Sequence, residues 1–107
     1  MEHLVFTDEN FKEEVKDHKG IVVVDMWAPW CMPCQMLGPV IEELAEEMSK
    51  SAKIGKMNVD DNPNTAAEFG IMSIPSVLVF KDGELVESLV GIKPKQVYID
   101  VINQYSE

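Results

Sequence analysis

The sequence has 107 residues, and its 19 acidic against nine basic side chains give a formal net charge of -10 at pH 7. That charge disfavours binding to nucleic-acid backbones or anionic membrane surfaces, and solubility is its simplest interpretation. The length is that of one domain over residues 1–107, large enough to bury a core without structural metal or disulfide staples.

No targeting or membrane signal is visible. Residues 1–6 do not form a basic region followed by an apolar stretch, and no run approaches the roughly 20 apolar residues of a membrane span. We therefore expect a cytoplasmic protein. Structural disulfides are rare in that compartment, so the only two cysteines, Cys31 and Cys34, indicate redox chemistry or metal binding.

The predicted elements begin with a short apolar strand at 3–6. Thr7 is predicted to be the N-cap of a first helix that ends near 19–20. The two acidic residues after Thr7 fall in the first turn, where negative charge suits the helix dipole. Residues 21–27 open with four β-branched side chains, which is typical of a strand covered on both faces. A buried central strand is therefore predicted directly upstream of the cysteines.

A long amphipathic helix is predicted over about 33–49. Its apolar residues recur at helical spacing, and four glutamates lie on the opposite side. Pro39 cannot donate to the carbonyl four residues back, so a kink is expected there. A third strand follows at 53–59, where apolar and polar residues alternate.

A short helix is predicted next. Asn62 and Pro63 supply its N-cap and its first residue, and Gly70 ends it. The chain then has to turn, and Ile74 is held extended because Pro75 follows it.

The C-terminal part reads as a hairpin and a helix. Asp82-Gly83 is a strong hairpin signal between apolar runs at 76–81 and 84–90, so these two strands should be antiparallel neighbours. Pro94 opens the last helix. Its predicted buried stripe consists of Val97, Tyr98, Val101, Ile102 and Tyr105.

The predicted order is thus βαβαβαββα. It fits an α/β protein with a central, mixed five-stranded sheet and four helices on its two faces. The β-α alternations suggest parallel pairing at first, and the terminal hairpin adds the antiparallel part.

The cysteine pair lies where the buried strand gives way to the long helix. Side chains at i and i+3 of a helix are neighbours, so the two sulfurs can bond and separate with little backbone movement. Unsatisfied N–H groups and the positive end of the helix dipole favour a thiolate at Cys31, which makes it the predicted nucleophile. Cys34, one turn further in, is assigned the resolving role.

Asp25 stands at the end of the apolar run and shares a strand face with Ile21, Val23 and Trp27. One interpretation is a strand-end carboxylate in water. In the other the carboxyl is buried, its pKa is raised by desolvation, and it can shuttle a proton to or from Cys34.

At this point the sequence resembles the thioredoxin family over essentially the whole chain. A lone C-x-x-C is a weak signal, but here two tryptophans, an isoleucine-proline pair and a helix proline stand at the family's spacing. The matching segments are 22–25, 27–34, Pro39, 56–60, 69–71, 74–76, 80–83 and Gly91.

The resemblance implies roles for five residues. Cys31 would be the attacking thiolate, and Cys34 would break the mixed disulfide with the substrate. Asp25 would transfer the proton, and Lys56 would temper the cost of ionising it. Pro75 would be a cis proline packed against the cysteines.

It also implies a docking surface for an extended substrate segment. Trp27 is predicted to pack in the core, with its ring also shielding the site, whereas Trp30 belongs to the exposed surface. Met72 either extends this surface or is a core methionine. The positions that match the family's substrate contacts are Trp30, Met32, Pro33, Ser73, Ile74, Gly91 and Ile92.

Met32 departs from the family pattern, which has glycine between the first cysteine and the proline. Methionine is the better helix former and adds apolar contact area beside Cys31. Residues between the cysteines tune the redox couple, so this substitution bears on the direction of electron flow.

Three alternatives compete. A zinc site would need His3 and His18 as its other ligands, and these two do not have the usual histidine spacing. A glutaredoxin-like or oxidant/isomerase thiol exchanger is the second; the missing signal sequence and the tryptophan before Cys31 weigh against it, and Met32 leaves it open. The third is a binding or holdase module of the same fold, which would have no need of the proton-handling residues.

The function implied is that of a protein-disulfide reductase, active in electron transport and cell redox homeostasis. Its expected partners are disulfide-containing client proteins and a thioredoxin reductase that returns the pair to the dithiol, with no nucleic acid or membrane among them. No bound cofactor is expected, because the redox-active disulfide is the two-electron carrier. The protein is expected to be monomeric.

Overall fold

The structure is a computed structural model that describes residues 3–106, so the ends of the predicted domain, 1–2 and 107, lie outside the described residues. The predicted order of elements and the mixed five-stranded sheet are confirmed. The elements are β1 Leu4–Val5, a π-helical turn Lys12–Lys16, β2 Ile21–Trp27, α1 Met32–Met48, β3 Ala52–Asn58, α2 Pro63–Glu68, β4 Ser76–Lys81, β5 Glu84–Val90 and α3 Lys95–Tyr105.

The sheet has the strand order β1-β3-β2-β4-β5, so β2 lies at its centre. This strand pairs in parallel with β3 and antiparallel with β4. Its residues 21–26 are all buried, as the β-branched run predicts for a strand covered on both faces.

The hairpin between β4 and β5 forms where Asp82-Gly83 predicts it. Both turn residues have positive φ, 52° for Asp82 and 87° for Gly83, and this conformation suits the right-handed twist of the flanking strands. The two strands are antiparallel, with a register irregularity between Val79 and Phe80.

The sheet separates two apolar cores. The face that carries Ile21 and Val23 packs against α1 and α3, and by alternation Asp25 belongs to this face. The opposite face, with Val22 and Val24, packs against the π-helical turn and the segment that follows α2. Asp25 is therefore aimed at the side of the sheet that α1 covers.

The first helix is shorter than the sequence predicts. Thr7 and Asn10 exchange hydrogen bonds, Asn10 N donating to Thr7 Oγ1 (3.1 Å) and Thr7 N to Asn10 Oδ1 (2.7 Å), which closes a turn. Only Lys12–Lys16 is helical beyond Phe11, and Asp17 N donates to Lys12 O at 2.8 Å, five residues back. The hydrophobic spacing of Phe11 and Val15 predicts a helical face but does not distinguish a π-turn from an α-helix.

The predicted N-cap of α2 is wrong in its chemistry. Asn62 stands at the right position but makes no capping bond, because its side chain accepts from Asp8 N and donates to Asn58 O. Asp8 caps the helix instead, accepting from Thr65 N at 2.9 Å and from Asn64 N at 3.2 Å. Desolvation of Asp8 is outweighed by these bonds and one from the Thr65 hydroxyl, so its pKa lies below the ordinary range.

Helix α1 begins one residue earlier than predicted and continues through Pro39 to Met48. Across residues 3–106, no helix combines the length and apolar character needed to cross a bilayer.

Candidate functional site

The two cysteines are joined by a disulfide at the junction of β2 and α1, with their Cα atoms 5.2 Å apart. Cys31 is the N-cap of α1, in extended conformation, and its sulfur accepts a hydrogen bond from Cys34 N at 3.2 Å. A sulfur in this position faces the free N–H groups and the positive dipole end of the helix, both of which stabilise a thiolate over a thiol.

Both sulfurs are sheltered, but unequally. Cys31 is 5% exposed and Cys34 is 2% exposed, and together with Ala28 they form a small apolar cluster. Trp27 and Ile74 pack against that cluster. Cys31 is the slightly more exposed of the two residues.

The loop opposite the cysteines brings backbone groups to the site. The Ile74–Pro75 peptide is cis, and Ile74 O lies 3.9 Å from Cys31 Sγ. Gly91 N donates to Pro75 O at 2.8 Å, and the Ser76 hydroxyl donates to Ser73 O at 2.6 Å. These bonds fix the loop against the start of β4, so Ile74 is held beside the reactive sulfur.

Asp25 is fully buried, and the interpretation of this residue as a carboxylate in water is wrong. No residue in the described part of the chain gives either carboxylate oxygen a hydrogen bond. Desolvation raises the pKa of Asp25 to about 7, against a smaller lowering by the charge of Lys56. A carboxyl with this pKa exchanges its proton readily at neutral pH.

Lys56 is the partner of Asp25 in the parallel register of β2 and β3. Its ammonium group lies 4.9 Å from the centre of the Trp27 ring, within cation–π range. A surface cavity of about 310 Å³ is lined in part by Trp27, Lys56 and Asn58. Trp27 is half-buried, so it both packs against the cysteine cluster and shields the site.

An exposed apolar rim is formed by side chains that lie within two residues of Cys31, Ile74 or Gly91 in the chain. Trp30 is 68% exposed, and Met72 is 95% exposed, so the interpretation of Met72 as a core methionine is wrong. Met32 and Ile92 are exposed as well. Of the other positions assigned to substrate contacts, Pro33 and Ser73 are exposed, whereas Ile74 and Gly91 are half-buried.

Two residues of the site, Asp60 and Met36, were not predicted from the sequence. Trp30 Nε1 donates to Asp60 Oδ2 at 2.9 Å, which anchors the exposed ring, and nothing in the sequence pairs these two. Met36 is exposed one helical turn after Met32, and the spacing of i and i+4 would have placed it there. Tyr98 is buried on α3, and its pKa is raised by desolvation, with a small contribution from the charge of Asp25.

The zinc alternative finds no support in residues 3–106, where no group of three or more His, Cys, Asp and Glu side chains is placed to hold a metal ion. His3 contacts Glu42 on α1. His18 lies just before β2, at the opposite end of that strand from the cysteines.

Comparison with known proteins agrees with this geometry. Residues 2–104 match the family model described as Thioredoxin. The chain is 50% identical over 99 residues to the thioredoxin of Pyropia yezoensis, covering 92% of each protein. It is also 50% identical over 99 residues to the thioredoxin of Bacillus subtilis, covering 92% of this chain and 93% of the relative.

Proposed function

Because this chain belongs to the thioredoxin family, we propose that its Cys31–Cys34 pair serves to reduce disulfide bonds of client proteins. The protein is a thiol-disulfide oxidoreductase, and its redox centre is the disulfide itself. The observation that carries the proposal is a disulfide at the N-terminus of α1, together with a buried carboxyl of pKa about 7 on the sheet face that α1 covers.

In the first step the reduced Cys31 attacks. Its thiolate, favoured at the N-cap of α1, bonds to one sulfur of the client disulfide, and the other client sulfur leaves as a thiolate. A mixed disulfide between Cys31 and the client results. Cys31 is the attacking residue because it is the cap of the helix and the less buried of the two cysteines.

In the second step Cys34 resolves the mixed disulfide. Its thiol is the more buried of the two, so a base is needed to remove its proton at neutral pH. Asp25 lies on the sheet face that α1 covers, and we assign it this role, with Lys56 stabilising the ionised carboxylate. The Cys34 thiolate bonds to Cys31 Sγ, and the client leaves as a dithiol.

The exposed rim and the Ile74 loop form the proposed docking surface. An extended client segment that carries a disulfide fits it, since Trp30, Met32 and Ile92 offer apolar contacts. Ile74 and Gly91 are half-buried at the edge of this surface; because Gly91 N is already bonded to Pro75 O, Ile74 offers the backbone with which an extended chain can pair.

The remaining assignments follow from the family. We propose that a thioredoxin reductase returns the pair to the dithiol, which places the protein in electron transport and cell redox homeostasis. We assign it to the cytoplasm as a monomer, acting as one domain over 1–107. The excess of acidic side chains supports protein clients rather than nucleic acid or anionic membranes.

The test is reduction of insulin, a protein disulfide substrate, with dithiothreitol or a bacterial thioredoxin reductase and NADPH as electron source. Cys31→Ser should abolish catalysis. Cys34→Ser should still attack and should accumulate a covalent mixed disulfide with insulin, which non-reducing electrophoresis detects. If neither the unsubstituted chain nor Cys31→Ser reduced insulin, but both bound client proteins equally well, the protein would be a binding or holdase module. If Cys31→Ser rather than Cys34→Ser trapped the client, the two cysteine roles would be reversed.

A further inference from the structure

The described methionines fall into two groups. Met26 and Met57 are fully buried in the core opposite α1, and Met48 is half-buried at the end of α1. Met32 and Met36 are 71% and 67% exposed, and Met72 is still more exposed. The methionines in open contact with solvent are therefore these last three.

All three of these lie close in the chain to Cys31 or to Ile74, which contacts its sulfur. Met32 follows Cys31 directly, and Met36 is one turn further on the same face of α1. Met72 is two residues before Ile74, whose carbonyl oxygen lies 3.9 Å from Cys31 Sγ. We call Met32, Met36 and Met72 the thioether rim.

In the disulfide state the rim offers the accessible oxidisable sulfurs. Cys31 and Cys34 are bonded to each other and almost completely buried, so neither presents a thiolate to an oxidant. A thioether exposed to water has no such protection. When oxidant is abundant and the pair is in its disulfide form, a two-electron oxidant meets the methionines of the rim first.

We propose that the thioether rim is a site of reversible methionine oxidation that regulates client docking. The step balances as a thioether plus a peroxide giving a sulfoxide plus water: the O–O bond breaks, one oxygen bonds to sulfur, and sulfur loses two electrons. The sulfoxide is polar where the thioether is apolar, so docking of protein clients weakens. The proposal rests on the proposed function, because the rim belongs to the docking surface assigned there.

The same change leaves the cysteine chemistry in place. The side chains of the rim point into solvent and are not part of the Asp25–Lys56 pair or of the buried cysteine cluster. Small disulfides such as oxidised glutathione need little of the rim. Oxidation of the rim should therefore lower the rate of reduction of protein disulfides more than that of small disulfides. General damage to the protein would lower both rates.

The first measurement is the order of oxidation. The disulfide form is treated with hydrogen peroxide in steps, and peptide mass spectrometry follows the added oxygen at each methionine. Met32, Met36 and Met72 should be oxidised well before Met26 and Met57. Oxidation of the buried methionines at the same rate would overturn the proposal, because exposure would then not select the site.

The second measurement is the effect on activity. After the cysteines are reduced, treated protein should reduce insulin with kcat/KM lowered about three- to tenfold, and oxidised glutathione with kcat/KM changed less than about twofold. A methionine sulfoxide reductase should restore the insulin rate. Equal losses with both substrates, or no loss with insulin, would overturn the docking role.

Matched variants locate the effect. In the triple variant Met32→Leu, Met36→Leu, Met72→Leu, treated and untreated protein should have the same insulin rate, since leucine keeps the apolar volume without an oxidisable sulfur. Met48→Leu, distant from the site, should retain the sensitivity of the unsubstituted chain. A triple variant that still lost activity on treatment would contradict the proposal.

The proposed function and the docking role would fail together if untreated protein reduced no insulin. The order of oxidation would still decide whether the rim is the modified site.

Discussion

Asp25 on β2 and Lys56 on β3 are partners in a parallel pair of strands, yet no residue within 3–106 gives the Asp25 carboxylate a hydrogen bond. Burial without a hydrogen bond raises the pKa of the Asp25 carboxyl, and the positive charge of Lys56 lowers that pKa by a smaller amount. The outcome is a pKa of about 7 for Asp25. The protonation state of Asp25 therefore affects both the free energy of unfolding and the proton transfer proposed for Cys34.

The first prediction concerns stability. The pKa of Asp25 is about 7 in the folded chain against 3.8 as its ordinary value, so the folded state holds this proton more tightly. The stability contributed by Asp25 is therefore complete below pH 3.8 and is lost as the pH rises through about 7. Asp25→Asn should raise the free energy of unfolding by about 2–4 kcal/mol at about pH 8 and change it much less at about pH 4.

Denaturant unfolding of the disulfide form at the two pH values measures this difference. Asp100→Asn, which alters an exposed carboxylate on α3, is the control and should show no comparable pH-dependent gain. A gain for Asp25→Asn of the same size at both pH values would contradict titration of Asp25 as its cause.

The second prediction concerns the resolving step. Without the carboxyl at position 25, Cys34 loses its proposed base, and release of the client from the mixed disulfide should slow about tenfold or more at neutral pH. Single-turnover kinetics with insulin separate this step from the first attack by Cys31, which should change little. Unchanged release kinetics would remove Asp25 from the mechanism.

The third prediction concerns Lys56. Its charge lowers the pKa of Asp25, so Lys56→Met should move the pH midpoint of client release upward and reduce the rate at neutral pH. Raising the pH should recover the lost rate, which a purely structural defect would not allow. Lys56→Arg should keep the midpoint near its original value, and Lys50→Met, beyond the far end of α1, serves as the control. A midpoint that did not move in Lys56→Met would rule out this electrostatic role.

The fourth prediction concerns the anchor of Trp30. Asp60 accepts the indole N–H, and its removal in Asp60→Ala frees an exposed ring that must then be ordered again when a client docks. We expect kcat/KM for insulin to fall about two- to fivefold, with little change for oxidised glutathione. Asp60→Asn keeps an acceptor and should behave like the unsubstituted chain. Equal rates for the alanine and asparagine variants would show that the hydrogen bond has no role in docking.

The sequence predicts the elements whose signals are local. Four β-branched residues mark the central strand β2, and Asp82-Gly83 marks the hairpin, because strand burial and positive φ each constrain the residue type directly. The start of an amphipathic helix likewise places Cys31 at or near the helix N-terminus, and the structure has it as the N-cap.

Contacts distant in sequence could not be predicted. Asp8 caps α2 from 57 residues before Thr65, and Asp60 holds Trp30 across a gap of 30 residues. Such pairs depend on how elements pack, which periodicity does not determine. The exposure of Met72 is a similar case, since a methionine fits a core and a docking surface equally well until the loop is placed.

The most direct test of the reductase assignment is the reduction potential of the Cys31–Cys34 couple. The protein is equilibrated in graded thiol/disulfide buffers, and tryptophan fluorescence reports the redox state because Trp27 packs against the cysteine cluster. We predict a potential near the value typical of thioredoxins, about -270 mV. A potential of about -120 to -180 mV would contradict the account: the protein would be an oxidant or isomerase, and Met32→Gly would test whether Met32 is the cause.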